Sequence, residues 1–453
     1  MLKNRLNFYD IVFAVITPRE VVFFLAIADK LKERGLRVAF ITFYEPGDKV
    51  IESRGYKVFS LHKEVETNIS FSENDIIRLK RKYNMSNIRT LLLHEKYTFE
   101  RYNEDKLLNK LICYDRYFER VLSENSIKTV AQELGGFIAP MSLYYNCIAK
   151  SVRHIFFEPA MYKGRLFFNV DSIDVKLKNV NVSKRNMEFI KDYLAKYNKS
   201  KTVVVPAKDR ENFKSGIKRL LQLRYIKRFI GKVYSKYILR EREEYDALLA
   251  QVKMHLKMFV FSKIQNRVYS NPDYSDEYIY FPLHVPLDFQ LTIREPKYLN
   301  QIALVEYIAK ILPYGYKLYI KEHPASIGAY NYRELKRVLY ENHNVKLIRP
   351  NVNSYELIKN AKEIITINSK VGAEALMQGR RVFVLGKTYY LSARNAIGIK
   401  DPVEILPYLY DEVDLFFDYD FFANVYNSTI EAELYSDNVK DIDDFSRFLF
   451  EYL

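Results

Sequence analysis

Short apolar runs alternate along this chain with longer, charged, helix-spaced stretches. Phe8 to Ile16, Arg37 to Thr42 and Lys57 to Leu61 read as buried strands, and Glu20 to Arg34 reads as the helix between the first two. Gly35, after a basic last turn, marks where that helix stops. The order strand, helix, strand predicts a βαβ start and hence a parallel sheet. Residues 72–125 are strongly charged and read as helical, after which Thr129 to Ala131 and Ser151 to Phe157 complete the sheet. A second series follows: Glu277 to Tyr280, Tyr316 to Ile320 and Glu363 to Ile367 are strand-like, each ends in a polar loop, and Ala373 to Gly379 reads as a helix. The chain is therefore α/β, with polar groups gathered at the carboxyl ends of parallel strands, where open α/β sheets bind ligands.

Those loops carry the candidate chemistry. The run Lys321-Glu322-His323-Pro324 places a histidine between a charged pair and a proline directly after an apolar strand. His323 is placed to donate to a leaving phosphate, with Lys321 as a fixed positive charge beside it; the plain alternative is a surface-loop histidine. The run from Thr366 to Ala375 contains Asn368, Ser369, Gly372 and Glu374 at a strand-to-helix junction. Unpaired N–H groups and the helix dipole favour an anion there. Ser369 adds a hydroxyl, Gly372 lets a ligand approach the backbone, and Glu374 is placed to accept from ribose hydroxyls. The same run is equally readable as an ordinary capped helix. The loop Phe281-Pro282-Leu283-His284-Val285-Pro286, with Gln290 beyond it, faces the same crevice; His284 and Gln290 are candidate donor contacts, or members of a proline-stiffened loop.

From about Tyr278 to Tyr390 the chain resembles the bacterial capsule polysaccharide biosynthesis family, which includes the β-Kdo transferases. The landmarks are Pro282-Leu283-His284, Lys321 to Pro324, Asn353-Ser354, Asn368-Ser369 with Gly372-x-Glu374-Ala375, and Gly386 with Tyr389-Tyr390. Their order and spacing make the match specific. The resemblance implies a GT-B fold of two Rossmann-like domains facing a central cleft, with the donor nucleotide in the C-terminal domain and the acceptor in the N-terminal one. It also implies metal-independent, inverting transfer and no cofactor beyond the nucleotide sugar. In the first half, Gln132-Glu133-Leu134-Gly135-Gly136-Phe137 and Phe157-Glu158-Pro159-Ala160 resemble the family's acceptor-side loops. An inverting transfer needs a carboxylate to take the acceptor proton; Glu133 is the first candidate and Glu158 the second, while an exposed glutamate capping a helix near Ile138 is the structural alternative for Glu133.

Composition narrows this reading. The 453 residues suffice for two or three domains, and no apolar run approaches the ~18 residues that span a bilayer. The N-terminus shows no signal-peptide pattern, and Cys113 and Cys147 lack metal or disulfide spacing, so a cytoplasmic protein is expected. Asp418-Tyr419-Asp420 and Asp441-Ile442-Asp443 mimic a metal-binding Asp-x-Asp, but they lie in an acidic, aromatic tail and read as solvated helix faces; no metal site is expected. The net charge of +15 suits phosphate-rich ligands or an anionic surface. Nucleic acid is not an expected partner, because the 38 Tyr and 30 Phe are spread through the chain without a nucleic-acid-binding motif. Between Lys214 and Arg242 ten Lys or Arg face one acid, Glu241: a basic amphipathic stretch that suits either the anionic inner membrane, near a lipid-linked acceptor, or a solvated insertion.

The expected organisation is an acceptor domain over 1–200, a basic insertion over 201–270, a donor domain over 271–400, and a helical tail over 401–453 returning to the first domain. The expected function is a glycosyltransferase of surface polysaccharide that uses a nucleotide sugar, CMP-Kdo by resemblance, and a glycan or lipid-linked acceptor. Two alternatives share the same donor residues: a nucleotide-sugar epimerase or hydrolase, and a non-catalytic assembly subunit.

Overall fold

The computed structural model describes residues 6–66, 70–179, 183–201, 223–245, 247–412 and 414–453. In the first half, β2 (Ile11–Val15), β3 (Val38–Thr42), β4 (Lys57–Ser60), β6 (Thr129–Glu133) and β7 (Arg153–Pro159) are parallel, in the order β4-β3-β2-β6-β7. The expected strand from Phe8 breaks at Asp10: Asn7–Tyr9 (β1) peels away to pair with Asn125–Ile127 (β5). The helix Pro18–Glu33 is capped by Thr17 Oγ1, and Gly35 follows it at φ +88, the left-handed conformation a glycine tolerates best. The charged stretch 72–125 is three helices, Glu73–Lys82, Leu93–Thr98 and Glu104–Glu124.

The sheet continues past the expected strands. Arg165–Val170 (β8) turns back antiparallel on β7, and Thr429–Glu431 (β15), from the tail read as helical, pairs antiparallel with β8. The last helix, Val439–Tyr452, packs on Pro18–Glu33 by inserting Phe445 and Leu449 into the cluster that holds Phe23, Phe24 and Leu31. Asp418, expected to be solvated, is buried: it caps the helix Tyr419–Asn427 and pairs with Arg394.

The second half is a six-stranded parallel sheet: β9 (Tyr278–Pro282), β10 (Lys317–Lys321), β11 (Val345–Ile348), β12 (Glu363–Thr366), β13 (Val382–Val384) and β14 (Ala396–Gly398). Its order, β11-β10-β9-β12-β13-β14, is the 3-2-1-4-5-6 order of a dinucleotide-fold sheet. These strands are buried on both faces, as their unbroken apolar runs require. The core of this half takes in Ile405 and Leu409 from the turn Pro402–Tyr410. The helix Lys184–Ser200, placed with the first domain by a boundary at 200, packs on both halves: Ile190, Leu194 and Tyr197 share a cluster with Tyr162 and Phe167 of the first and with Tyr355 and Met377 of the second, and Asn198 Nδ2 donates to Met377 O at 2.9 Å. The two Rossmann-like halves together form a GT-B-like α/β molecule. Of the basic stretch, residues 214–222 lie outside the described residues; Leu223–Tyr234 and Leu248–Gln265 are helices. Among the described residues no helix is long and apolar enough to cross a membrane.

Candidate functional site

In the second sheet the chain reverses direction of growth between β9 and β12, and ligands of such sheets bind outside the carboxyl ends of the strands at that point. A cleft lies there, with about 860 Å³ of empty space when its open mouth is included. Its second-half wall includes Gln290, Arg294, Asn368, Lys370, Glu374 and Tyr390; its first-half wall runs from Glu158 to Met161 and includes Asp174. Glu158, Gln290, Asn368, Glu374 and Tyr390 are thus brought together from both halves of the chain.

Two of these side chains hold buried acceptors without a hydrogen-bond partner among the described residues: Asn368 Oδ1 and Glu374 Oε2. Asn368 is oriented by its other end, since its Nδ2 donates to Gln290 O at 3.1 Å. Glu374 lies on the helix Lys370–Met377, and burial raises its carboxyl pKa to about 7, against the opposing pull of Lys321 and Lys370. Buried acceptors are ordinarily satisfied, so a pair left open in one cleft calls for a donor-rich ligand.

The neighbouring motif residues are mostly supporting. Lys321 is buried; its Nζ donates to Val352 O at 2.6 Å and to Ser354 Oγ at 2.7 Å, and burial lowers its pKa to about 8. Its ammonium is therefore committed to Val352 and Ser354 rather than acting as the fixed positive charge expected beside His323. Glu322 takes the Tyr269 hydroxyl and the Gly328 N–H, tying down the following loop. His323 Nδ1 accepts from Ala325 N–H at 3.2 Å as cap of the turn opened by Pro324, and His323 is not among the cleft-lining residues. His284 is also outside the lining: it is buried, its N–H donates to Gln301 Oε1, its carbonyl accepts from Tyr330, and burial with the nearby His323 drops its pKa to about 3, so it is neutral. Pro282 ends β9 opposite Lys321. Asn353 caps the helix Ser354–Asn360 and donates to Lys201 O.

The glycines have structural reasons. A Cβ at Gly372 would lie 2.6 Å from the Tyr390 ring, whose hydroxyl donates to Ser369 O at 2.8 Å, so the space expected for a ligand belongs to Tyr390. Gly386 likewise makes room for Glu295, which accepts from Lys387 N–H at 2.6 Å. The helix start is partly satisfied internally, because Ser369 Oγ takes Val371 N–H and Ser369 O takes Gly372 N–H. Lys370 and Lys387 are the lysines of the cleft lining.

Sequence reasoning missed Arg294, the hub between the halves. It sits in the single π turn Gln290–Arg294 and grips Glu158 with two nitrogens at 3.0 and 2.9 Å. It also reaches Ile173 O, Asp174 Oδ1 at 3.3 Å and Gln290 Oε1. No local pattern announces a partner so distant in the chain. Bidentate pairing occupies both Glu158 oxygens and makes this carboxylate a poor proton acceptor.

Glu133 lies in a second crevice, at the carboxyl ends of β2 and β6, with Ile16, Glu20, Gln132 and Tyr245. It is not the cap of the helix Ile138–Ala149, because Glu95 Oε1 accepts the Ile138 N–H at 3.0 Å. Instead Glu133 Oε2 accepts from the hydroxyl of Tyr435, a tail residue at φ +64 under the Arg19 guanidinium. Its loop abuts the 290–294 segment: a Cβ at Gly136 would meet Ile293 at 3.1 Å, and His94 Nδ1 is 2.8 Å from Thr292 Oγ1. The 290–294 segment thus lines the first cleft through Gln290 and Arg294 and touches the Glu133 loop through Ile293.

Residues 184–394 match the family model for capsule polysaccharide biosynthesis protein. FixF of Sinorhizobium fredii is 29% identical over 137 residues, a match covering 29% of this chain and 32% of FixF, so the chain spans about a third of that relative. Among solved structures, Thermosulfurimonas dismutans KpsC, β-Kdo 2,4 transferase, is similar at 13% identity and TM-score 0.38 over 68% of this chain and 85% of that one. UDP-GlcNAc 2-epimerase of Methanocaldococcus jannaschii is similar at 14% identity and TM-score 0.27 over 98% and 99%. Over residues 184–394, a little under half of its length, the chain is similar to the capsule polysaccharide biosynthesis family.

Proposed function

We propose that this protein is a metal-independent, inverting glycosyltransferase of surface-polysaccharide synthesis. It takes a sugar from a nucleotide sugar, with CMP-Kdo or a related CMP-sugar favoured by the family resemblance, and passes it to a glycan acceptor. The observation that carries the reading is the pair of unpartnered buried acceptors, Asn368 Oδ1 and Glu374 Oε2, beside Lys370 and Lys387 at the switch point of a dinucleotide-fold sheet. Ribose hydroxyls donate to the first pair and the phosphate meets the second.

In the reaction the acceptor oxygen attacks the anomeric carbon, the bond from that carbon to the nucleotide phosphate oxygen breaks, and the acceptor proton passes to Glu133. Glu133 suits that role better than Glu158, whose oxygens are held by Arg294. Lysine charge stabilises the departing phosphate.

The test measures nucleotide release from CMP-Kdo with and without an oligosaccharide acceptor. Release that depends on the acceptor, and that falls by about 10²–10⁴-fold in Glu133→Gln with donor affinity retained, is expected. Equal release without acceptor points to the hydrolase or epimerase alternative and sinks the transfer.

A further inference from the structure

We propose that the helices Leu223–Tyr234, with its continuing turn Ser235–Leu239, and Leu248–Gln265 dock this protein on an anionic lipid bilayer. Leu249, Val252, Leu256 and Val260 are 80%, 38%, 55% and 47% exposed, and their spacing of three or four residues puts them on one face. The opposite face is anchored. A Cβ at Gly328 would lie 2.2 Å from Met258 O and 2.7 Å from Ser262 N, so this side of the helix presses on the donor-domain loop after β10. The earlier segment repeats the pattern: Ile230, Tyr234, Tyr237 and Ile238 are 53–65% exposed at the same spacing. Single exposed apolar side chains need no explanation, but a stripe on each of two elements successive in the chain does.

Charge identifies the occupant. Leu223–Leu239 contains five Lys or Arg and Leu248–Gln265 three Lys, and neither span contains Asp or Glu. Lys232 and Lys253 pair with Glu243 and Glu100 from outside the helices. Two copies of this face would bring like charges together, which disfavours self-association. Free phosphate would meet the cations and leave the Leu and Val stripe in water, and a nucleic acid would offer those aliphatic side chains no partner either. An anionic bilayer satisfies both features, with headgroups on the lysines and acyl chains on the stripe, in the manner of helices that lie in the interfacial plane. The inference rests on exposure and charge and stands independently of sugar transfer.

Vesicle flotation of the full chain tests it. The protein is expected to float with phosphatidylcholine vesicles containing about 30 mol % phosphatidylglycerol and not with phosphatidylcholine alone, and to be released by about 0.5 M salt. Combining Leu249→Asp with Leu256→Asp is expected to weaken flotation by about tenfold or more. Leu415→Asp, at a site 64% exposed elsewhere on the surface, is expected to leave it unchanged. Thermal melts of each variant separate lost docking from lost folding. Absence of flotation by the wild type, equal flotation of the double variant, or a concentration-dependent dimer that only the double variant loses would overturn the proposal.

Discussion

Replacing Arg294 by alanine is expected to cost about 3–5 kcal/mol of stability. The Arg294 side chain is 8% exposed and that of Glu158 17%. The pair joins β7 of the first half to the π turn of the second, and truncation leaves a largely buried carboxylate with its guanidinium partner gone. Arg294→Lys is expected to recover only part of the loss, because a point charge cannot reproduce two parallel hydrogen bonds while also reaching Ile173 O and Asp174. Urea unfolding followed by tyrosine fluorescence and far-UV dichroism measures it. A loss below about 1 kcal/mol would mean that the ion pair does not hold the halves together.

Glu374→Gln is expected to do the reverse: stabilise the unliganded protein while weakening nucleotide binding. Burial raises the Glu374 carboxyl to about 7, so between its ordinary value near 4.5 and about 7 the unfolded chain ionises first and folding stability falls as pH rises. The penalty is complete above pH 7, where it amounts to about 3 kcal/mol for a shift of this size, and it vanishes toward pH 4.5. The glutamine variant should therefore melt higher than wild type at pH 8 and alike near pH 4.5. The gain is expected to be smaller than the full penalty, because the attraction to Lys321 and Lys370 is lost with the charge. Loss of a carboxylate acceptor for ribose hydroxyls is expected to raise the nucleotide Kd by about tenfold or more. Matching melting curves at pH 8 would show that Glu374 is not a strained charge.

The parts of this account that were legible in sequence share a local cause. Apolar runs long enough to be buried on both faces announced β2, β3, β6, β9, β10 and β12, and polar residues immediately after them marked the carboxyl edge where Asn368, Glu374 and Gln290 now line the cleft. The unread parts are nonlocal. Arg165–Val170 becomes a strand by pairing with Ile155–Pro159 and with Thr429–Glu431, which arrives from the far end of the chain. Lys321 reads in sequence as a fixed positive charge beside His323, but β10 ends at Lys321, whose Nζ goes to Ser354, while His323 lies past the strand end and caps the turn opened by Pro324. Gly372 matched a ligand-approach pattern, yet its constraint is the Tyr390 ring, folded back from the turn that follows β13.

The central claim, that the cleft between Glu158 and Glu374 holds a nucleotide sugar, is tested most directly by calorimetric titration of CMP-, UDP- and GDP-sugars into the wild type and into Lys370→Ala combined with Lys387→Ala. The account predicts saturable binding of one nucleotide class, weakened by about tenfold or more in the double variant. No binding by any class, or binding that the lysine substitutions leave unchanged, would contradict it.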